Sequence, residues 1–377
     1  MARRLTVALA VAAVAAVAAG TPVADGSPHL LKGIDDNAQT LYGNPDVVFA
    51  QLHLLGVQIV RIDLDWGGDN GVAGPFPTVR PTDPNDGQYH WDVYDRAVLR
   101  AAQYHIAVLF AIVATPAWAN GNNPTNVAPT NPQDLRNFAY AAATRYSGTY
   151  KRPSDGVVLP AVKHWLAWNE PNNPVYLEPQ FDGTTIVSAK TYASLCNAVV
   201  AGVKSTSIRG ELVACGATAP RGNNNPDSAR PSVSPLAFLR AMKQAGARGF
   251  DAYAHHPYYG DPSETPSTPP SSPSTAITLG NIKTLERQVT KLYGKIPIWI
   301  TEYGYQTNPP DDVFGVSDAK QAAYLRQAYA IARADPRIDM LVWFLLKDEP
   351  DLSGWQSGLL TIAGARKPAW AAYRSIP

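Results

Sequence analysis

Two segments of this sequence end in carboxyls placed where they could do chemistry. His164-Trp165-Leu166-Ala167-Trp168-Asn169-Glu170-Pro171-Asn172 is an apolar run that delivers an Asn-Glu pair to its end, where Pro171 stops a strand. Pro297-Ile298-Trp299-Ile300-Thr301-Glu302-Tyr303-Gly304-Tyr305 is a second apolar run that closes on a lone carboxyl. Two carboxyls facing one another across a cleft meet the requirements of acetal cleavage: one protonates the departing oxygen while the other meets an oxocarbenium-like carbon from the opposite face. Retention of configuration asks for a separation of about 5–5.5 Å and inversion for about 6.5–9.5 Å, a distance that sequence leaves open. Either Glu by itself reads equally well as an ion-paired or capping residue. Their joint position at the ends of two apolar runs carries the argument.

Those runs belong to a series. Short β-branched stretches recur at Leu30–Ile34, Ile59–Leu64, Ala107–Ala111, His164–Trp168, Glu211–Gly216, Ala252–His255, Pro297–Ile300 and Met340–Leu345. Several are apolar throughout, as strands buried on both faces should be. Amphipathic stretches between them start near Asp46, Trp91, Asn131, Ser188, Ser234, Asn281, Ser317 and Pro368, several with an N-cap side chain or a first-turn acid. Eight such βα units predict a single α/β domain, a (β/α)8 TIM barrel over residues 25–377. The loops after the runs are long and the loops before them short, which places the elaborated, functional face at the strand C-termini. Glu170 and Glu302 fall on the fourth and seventh runs, so a small barrel would point them across its mouth. The segment 261–275, DPSETPSTPPSSPST, is too poor in apolar residues to pack and is expected to be a mobile, solvated excursion rather than a lid.

Bulk properties narrow the function further. Met1-Ala2-Arg3-Arg4 followed by apolar Leu5–Ala19 and then Gly20-Thr21-Pro22 has the order of a secretory signal, so residues 1–24 are expected to be removed and the remainder exported. The apolar run is shorter than the ~20 residues that a membrane span needs. With 32 basic against 31 acidic side chains there is no field to draw nucleic acid, an anionic membrane or a polyanion, and a neutral oligo- or polysaccharide fits better. Nine Trp and eighteen Tyr suit stacking on sugar faces and ordinary core packing alike. The 7 histidines contain no H-E-x-x-H and the 2 cysteines no paired ligand spacing, so neither metal nor cofactor is implied. Cys196 and Cys215 read equally as a disulfide of an exported chain or as two separate buried thiols. A monomer is the expected state.

The W-N-E-P-N motif at Trp168–Asn172, together with T-E-Y-G at Thr301–Gly304, resembles clan A of the retaining glycoside hydrolases along the whole expected mature chain. Within the clan it is most similar to family 39, or to the neighbouring cellulase-like family 5, in compact bacterial forms made of a catalytic barrel. The resemblance implies Glu170 as general acid/base, Glu302 as nucleophile and Asn169 as the contact to the sugar 2-hydroxyl. It also implies that Arg61, at the end of the second run, supports the nucleophile electrostatically, that His256 and Tyr258 touch the site, and that Trp343 floors the subsite bearing the scissile bond. Arg61 and Tyr258 read otherwise as barrel-layer packing. Strand alternation should turn His255 the other way. Trp66, Trp118, Tyr176, Tyr305 and Trp355 fall in strand-end loops and are candidates for further subsites, or for plain loop packing; Asp348, Glu349 and Asp351 carry no assignment. Family 39 xylosidases and iduronidases carry a β-sandwich that has no counterpart here, which argues against those particular activities. Transglycosylation on the same residues, and carbohydrate binding without turnover, are the competing readings. The sugar, the linkage and the choice between internal and terminal cleavage are not legible.

Overall fold

The computed structural model describes residues 27, 29–206 and 208–377; the expected leader at 1–24 lies outside them. The eight apolar runs form strands. They are β1 (Leu31–Asp35), β2 (Ile59–Asp65), β3 (Ala107–Val113), β4 (His164–Ala167), β7 (Leu212–Thr218), β8 (Ala252–His255), β9 (Ile298–Tyr303) and β10 (Ile338–Phe344), with a small antiparallel hairpin, β5 (Phe181–Asp182) and β6 (Thr185–Ile186), between β4 and β7. All eight pair in parallel into a closed barrel of order β1-β10-β9-β8-β7-β4-β3-β2. This is the (β/α)8 fold that the alternation of elements predicts.

Helices between the strands start where their caps predict. α2 (Pro45–Leu54) is capped by the Asn44 side chain, α4 (Pro132–Arg145) by Asn131 and α8 (Asp318–Ala334) by Ser317, each with its side-chain oxygen accepting a first-turn N–H. α3 (Asp92–Gln103), α5 (Ser188–Lys204), α6 (Pro235–Gln244), α7 (Ile282–Tyr293) and α9 (Pro368–Arg374) complete the outer layer. A further short helix, α1 (Asn37–Tyr42), follows β1 directly and is capped by Asp36; at 6 residues it is too brief for a helical period to show in sequence. No described helix is long and apolar enough to cross a membrane.

Alternation along each strand divides the core in two. Side chains such as Ile59, Leu109, Leu166, Ala254, Trp299 and Val342 fill the barrel interior. Their neighbours Val60, Phe110, Trp165, Ile300 and Trp343 face the helices. At Gly33 of β1 an added Cβ would stand 2.8 Å from Val342 Cγ2 and 3.2 Å from the Ile59 carbonyl, so glycine leaves the room that these interior side chains take. Between β9 and β10 the register slips, with Leu341 opposite Ile300 but Trp343 opposite Tyr303, which gives β9 one extra residue. Consecutive residues Thr301 and Glu302 can therefore both face inward, where strict alternation would send one of them outward.

Cys196 of α5 and Cys215 of β7 form a disulfide with Cα atoms 5.9 Å apart, which settles the choice the sequence left open. The 261–275 segment has no regular structure and is largely exposed; Glu264 tethers it, its carbonyl accepting from Tyr305 Oη at 2.8 Å and its carboxylate accepting from Gly260 N at 2.7 Å.

His164 opens β4, its ring 5.6 Å from that of Trp299, and burial brings its pKa down to about 4, with Lys163 acting in the same direction. A histidine held neutral by burial supports folding above the ordinary histidine range and loses that support as pH falls through its folded value. His164→Gln should therefore flatten the stability decline of the native chain between about pH 6.5 and pH 4, a difference of about 3 kcal/mol at the low end, read from urea midpoints across that window.

Candidate active site

The mouth at the strand C-termini holds a cavity of about 930 Å³, within the ~300–1,000 Å³ of small-molecule sites, and both Glu170 and Glu302 line it. Glu302 is reached from three sides. Arg61 Nη1 donates to Oε1, Tyr258 Oη donates to Oε2 at 3.1 Å, and His256 Nδ1 stands 3.5 Å from Oε2. Burial and the nearby carboxylates hold the Tyr258 phenol well above its ordinary range, so it keeps the proton that it donates to Glu302.

Arg61 is itself the hub of the lower site. Beyond Glu302, its guanidinium meets Asp35 Oδ2 at 3.1 Å, Asp63 Oδ1 at 3.0 Å, Asn169 Oδ1 at 3.0 Å and the Thr301 carbonyl at 3.2 Å. Its side chain is 1% exposed, so these acceptors stand in for water at Nη1 and Nη2, while Nε is left without a partner. Desolvation pushes the Asp35 carboxyl well above the usual range and Arg61 opposes it. Neither Asp35 nor Asp63 was legible as a site residue; an inward-facing arginine, which must be neutralised, was the signal that could have found them.

Glu170 sits on a tight turn. Trp168 and Glu170 adopt φ values of 67° and 35°, the left-handed region that costs a non-glycine residue roughly 1–3 kcal/mol. Hydrogen bonds hold the turn in place: Trp168 Nε1 donates to the Tyr176 carbonyl at 2.7 Å and Glu170 N to the Ala217 carbonyl at 2.9 Å. The carboxyl accepts from Asn173 Nδ2 at 3.0 Å and lies 3.0 Å from His256 Nδ1, while His256 Nε2 meets Thr301 Oγ1 at 2.9 Å. A proton on Nδ1 satisfies this network, with Nε2 accepting from the threonine.

Of the residues named from sequence, Glu170, Glu302, Asn169, Arg61, His256 and Tyr258 therefore converge on one centre. His255 points away as expected, its ring nitrogens on Thr218 Oγ1 at 2.8 Å and the Ile277 carbonyl at 3.0 Å. Three expectations need correction. Trp343 faces the helix layer, fully buried, with its indole N–H on the Ser357 carbonyl at 3.0 Å; Phe344, one residue on, lines the cavity instead, because alternation from Val342 turns that position inward. Trp118 packs edge-on against Trp66 at 5.9 Å, and neither indole lines this cavity. Tyr305 is fully buried and stacks 4.0 Å behind Tyr259, and it is Tyr259 that faces the cavity. Tyr176, Trp355, Asp348 and Glu349 line it; Asp348 is paired with Lys367 at 2.6 Å.

Glu170, His256 and Glu302 bring one donor atom each within 4.8 Å of one another, a set able to hold a cation. Arg61 already places a positive charge on Glu302, which opposes a divalent ion at that point.

The fold and its two facing carboxyls define a (β/α)8 barrel with a carboxylate-pair site. By sequence the chain belongs to the family of unknown function DUF5722, whose model matches residues 94–377. A search of curated proteins found no match. Among solved structures it is similar to a family 39 glycoside hydrolase from the gut symbiont Bacteroides cellulosilyticus WH2, at 20% identity and TM-score 0.61 over 94% of this chain and 64% of that one. A glucosidase from Croceicoccus marinus is similar at 16% identity and TM-score 0.64, over 93% of this chain and 66% of that one. Fungal β-1,4-galactanases match at 14% identity and TM-score 0.60, over 92% of this chain and 99% of theirs. The chain thus spans about two thirds of the first two and nearly all of the third; the likeness is one of fold.

Replacing Arg61 by lysine keeps a charge but loses the planar fork that joins Glu302, Asp35, Asp63 and Asn169. Should a carboxylate-pair activity be measured, Arg61→Lys is expected to lower kcat/KM about 10²–10³-fold. Circular dichroism on the same preparation checks that the barrel persists.

Proposed function

We propose that this chain is an exported, retaining glycoside hydrolase that cleaves the O-glycosidic bonds of an oligo- or polysaccharide by double displacement. The observation that carries the reading is the carboxyl pair: an oxygen of Glu170 and an oxygen of Glu302 lie within 4.8 Å of one another across the cleft, which supports the closer spacing of double displacement. The different surroundings of the two carboxyls support different roles. Glu302, gripped by Arg61 and Tyr258, is held as the nucleophile; Glu170, on its turn beside Asn173, is held as the acid.

In the first step a Glu302 oxygen bonds to the anomeric carbon as its bond to the leaving oxygen breaks, and Glu170 gives that oxygen a proton. In the second, the Glu170 carboxylate takes a proton from water, the water oxygen bonds to the anomeric carbon, and the ester to Glu302 breaks with net retention. Asn169 gives its carbonyl oxygen to Arg61, which aims the amide so that Nδ2 is the donor left for the sugar 2-hydroxyl. Carboxyls Asp36, Asp63 and Glu349 line the cavity on the side of β1, β2 and β10, which favours a neutral sugar in the glycone position. Export rests on the order of residues 1–22, and a monomer is proposed.

The test is hydrolysis of aryl glycosides and plant, fungal and bacterial polysaccharides, with product anomers followed by proton NMR. A retained anomer is expected, and an inverted one would overturn the reading. On an activated aryl glycoside, Glu302→Ala should abolish turnover. Glu170→Ala should retain measurable rate there while losing about 10²–10⁴-fold on natural glycosides, whose leaving groups need the proton.

A further inference from the structure

The cavity is charged differently on its two sides. Glu170 must stand beside the departing oxygen, so the leaving half of the substrate lies on its side of the mouth. The wall there is the loop from Ala219 to Val233, and it is fastened to the acid's own turn. Asn172, fully buried two residues after Glu170, accepts from Ala219 N at 2.8 Å and donates through Nδ2 to the carbonyls of Ala219 at 3.2 Å and Val233 at 2.9 Å. Two arginines of this loop, Arg221 and Arg230, line the cavity, and among the described residues no acidic side chain of the loop does so.

Arg221 is held in place by its surroundings. Its Nη1 donates to the Tyr259 carbonyl at 3.0 Å, and the guanidinium lies over Gly260, where a Cβ would come within 2.2 Å of Nη2. Only a residue without a side chain leaves room for that placement. The nearest acid, Glu264, is 3.8 Å from Nη2 and spends the same oxygen on Gly260 N at 2.7 Å. With its side chain 42% exposed and Glu264 no nearer than 3.8 Å, the cation is only partly met by the protein. Arg221 also lines a second cavity, of about 480 Å³, between Asn223 and the 273–276 stretch, so the leaving-group side continues past it. Arg230 has no ion-pair partner among the described residues.

Resting on the glycosidase reading, we propose that the leaving-group side recognises an anionic sugar, through Arg221 and Arg230 bonding to a uronate carboxylate or a sulfate ester on the aglycone. A guanidinium fork matches either group with two parallel N–H···O bonds. The substrate is then a glycan with a neutral sugar on one side of the scissile bond and a charged one on the other. This departs from the uniformly neutral partner expected from net charge, because a +1 balance over the whole chain says nothing of how charge is divided inside one cleft.

The test is a binding measurement on full-length Glu170→Gln, which does not depend on turnover. Calorimetry at low salt compares matched oligosaccharides: glucuronoxylan fragments against their carboxyl-reduced form, and sulfated galactan fragments against their desulfated form. Tighter binding of a charged member by about tenfold or more is expected, and the pair that shows it names the anion. That preference should weaken with added salt and should vanish in Arg221→Gln/Arg230→Gln, with affinity for the neutral member unchanged. Arg230→Gln alone, at an exposed position, should lose part of the preference without any folding penalty. Equal affinity within both pairs, or a preference that survives both substitutions, would overturn the proposal. Loss of the glycosidase reading would show itself separately, as absence of product from the wild-type chain with these same glycans.

Discussion

One buried guanidinium organises the mouth of this barrel. Arg61 projects inward from β2, where no water can solvate it, and the charge has to be met by groups from other strands. It is met by Asp35 from β1, Asp63 from its own strand, Asn169 from the end of β4, and Glu302 with the Thr301 carbonyl from β9. Four strands that are distant in sequence are thereby tied together at the level where a substrate would sit. Three carboxyls around one cation leave an excess of negative charge. Desolvation pushes the Asp35 carboxyl upward, and the Arg61 guanidinium opposes it.

The acid turn has a different origin. β4 ends at Ala167, and the backbone then turns through the left-handed conformations of Trp168 and Glu170, with Asn172 and Asn173 each finding a role after the turn. Asn173 reaches back to the Glu170 carboxyl, while Asn172 clasps the following barrel loop. The motif is therefore a positioning device as well as a catalytic one: strain at two residues is offset by hydrogen bonds to β3, β7 and the 219–233 loop. His256 joins the halves, with one ring nitrogen toward both carboxyls and the other on Thr301.

Aromatic side chains show how residue type can mislead. Trp343, Trp118 and Tyr305 have the right chemistry for stacking on a sugar, and each serves the core instead, while Phe344, Tyr259 and Trp355 face the cavity. The difference is one of direction. Trp343 and Phe344 are adjacent on β10 and point to opposite faces, and Tyr305 stands directly behind Tyr259 in a stacked pair.

The sequence by itself determined the eight strands, the main helix starts and the two carboxyl-bearing strand ends, because apolar runs, caps and strand-breaking prolines act through near neighbours. It also determined Asn169, Arg61, His256 and Tyr258, through their positions at strand ends in a recognisable motif pattern. Tertiary structure alone decided the Cys196–Cys215 bridge, the inward turn of Phe344, the recruitment of Asp35 and Asp63 by Arg61, and the short α1 helix. It also decided that Glu302 faces the cleft beside an equally inward Thr301, since the extra residue of β9 exists only as a register shift against β10. Each of these depends on which groups meet across the barrel. A long-range pairing leaves no local pattern in the chain, and burial of a charge names its partners only after the strands have closed.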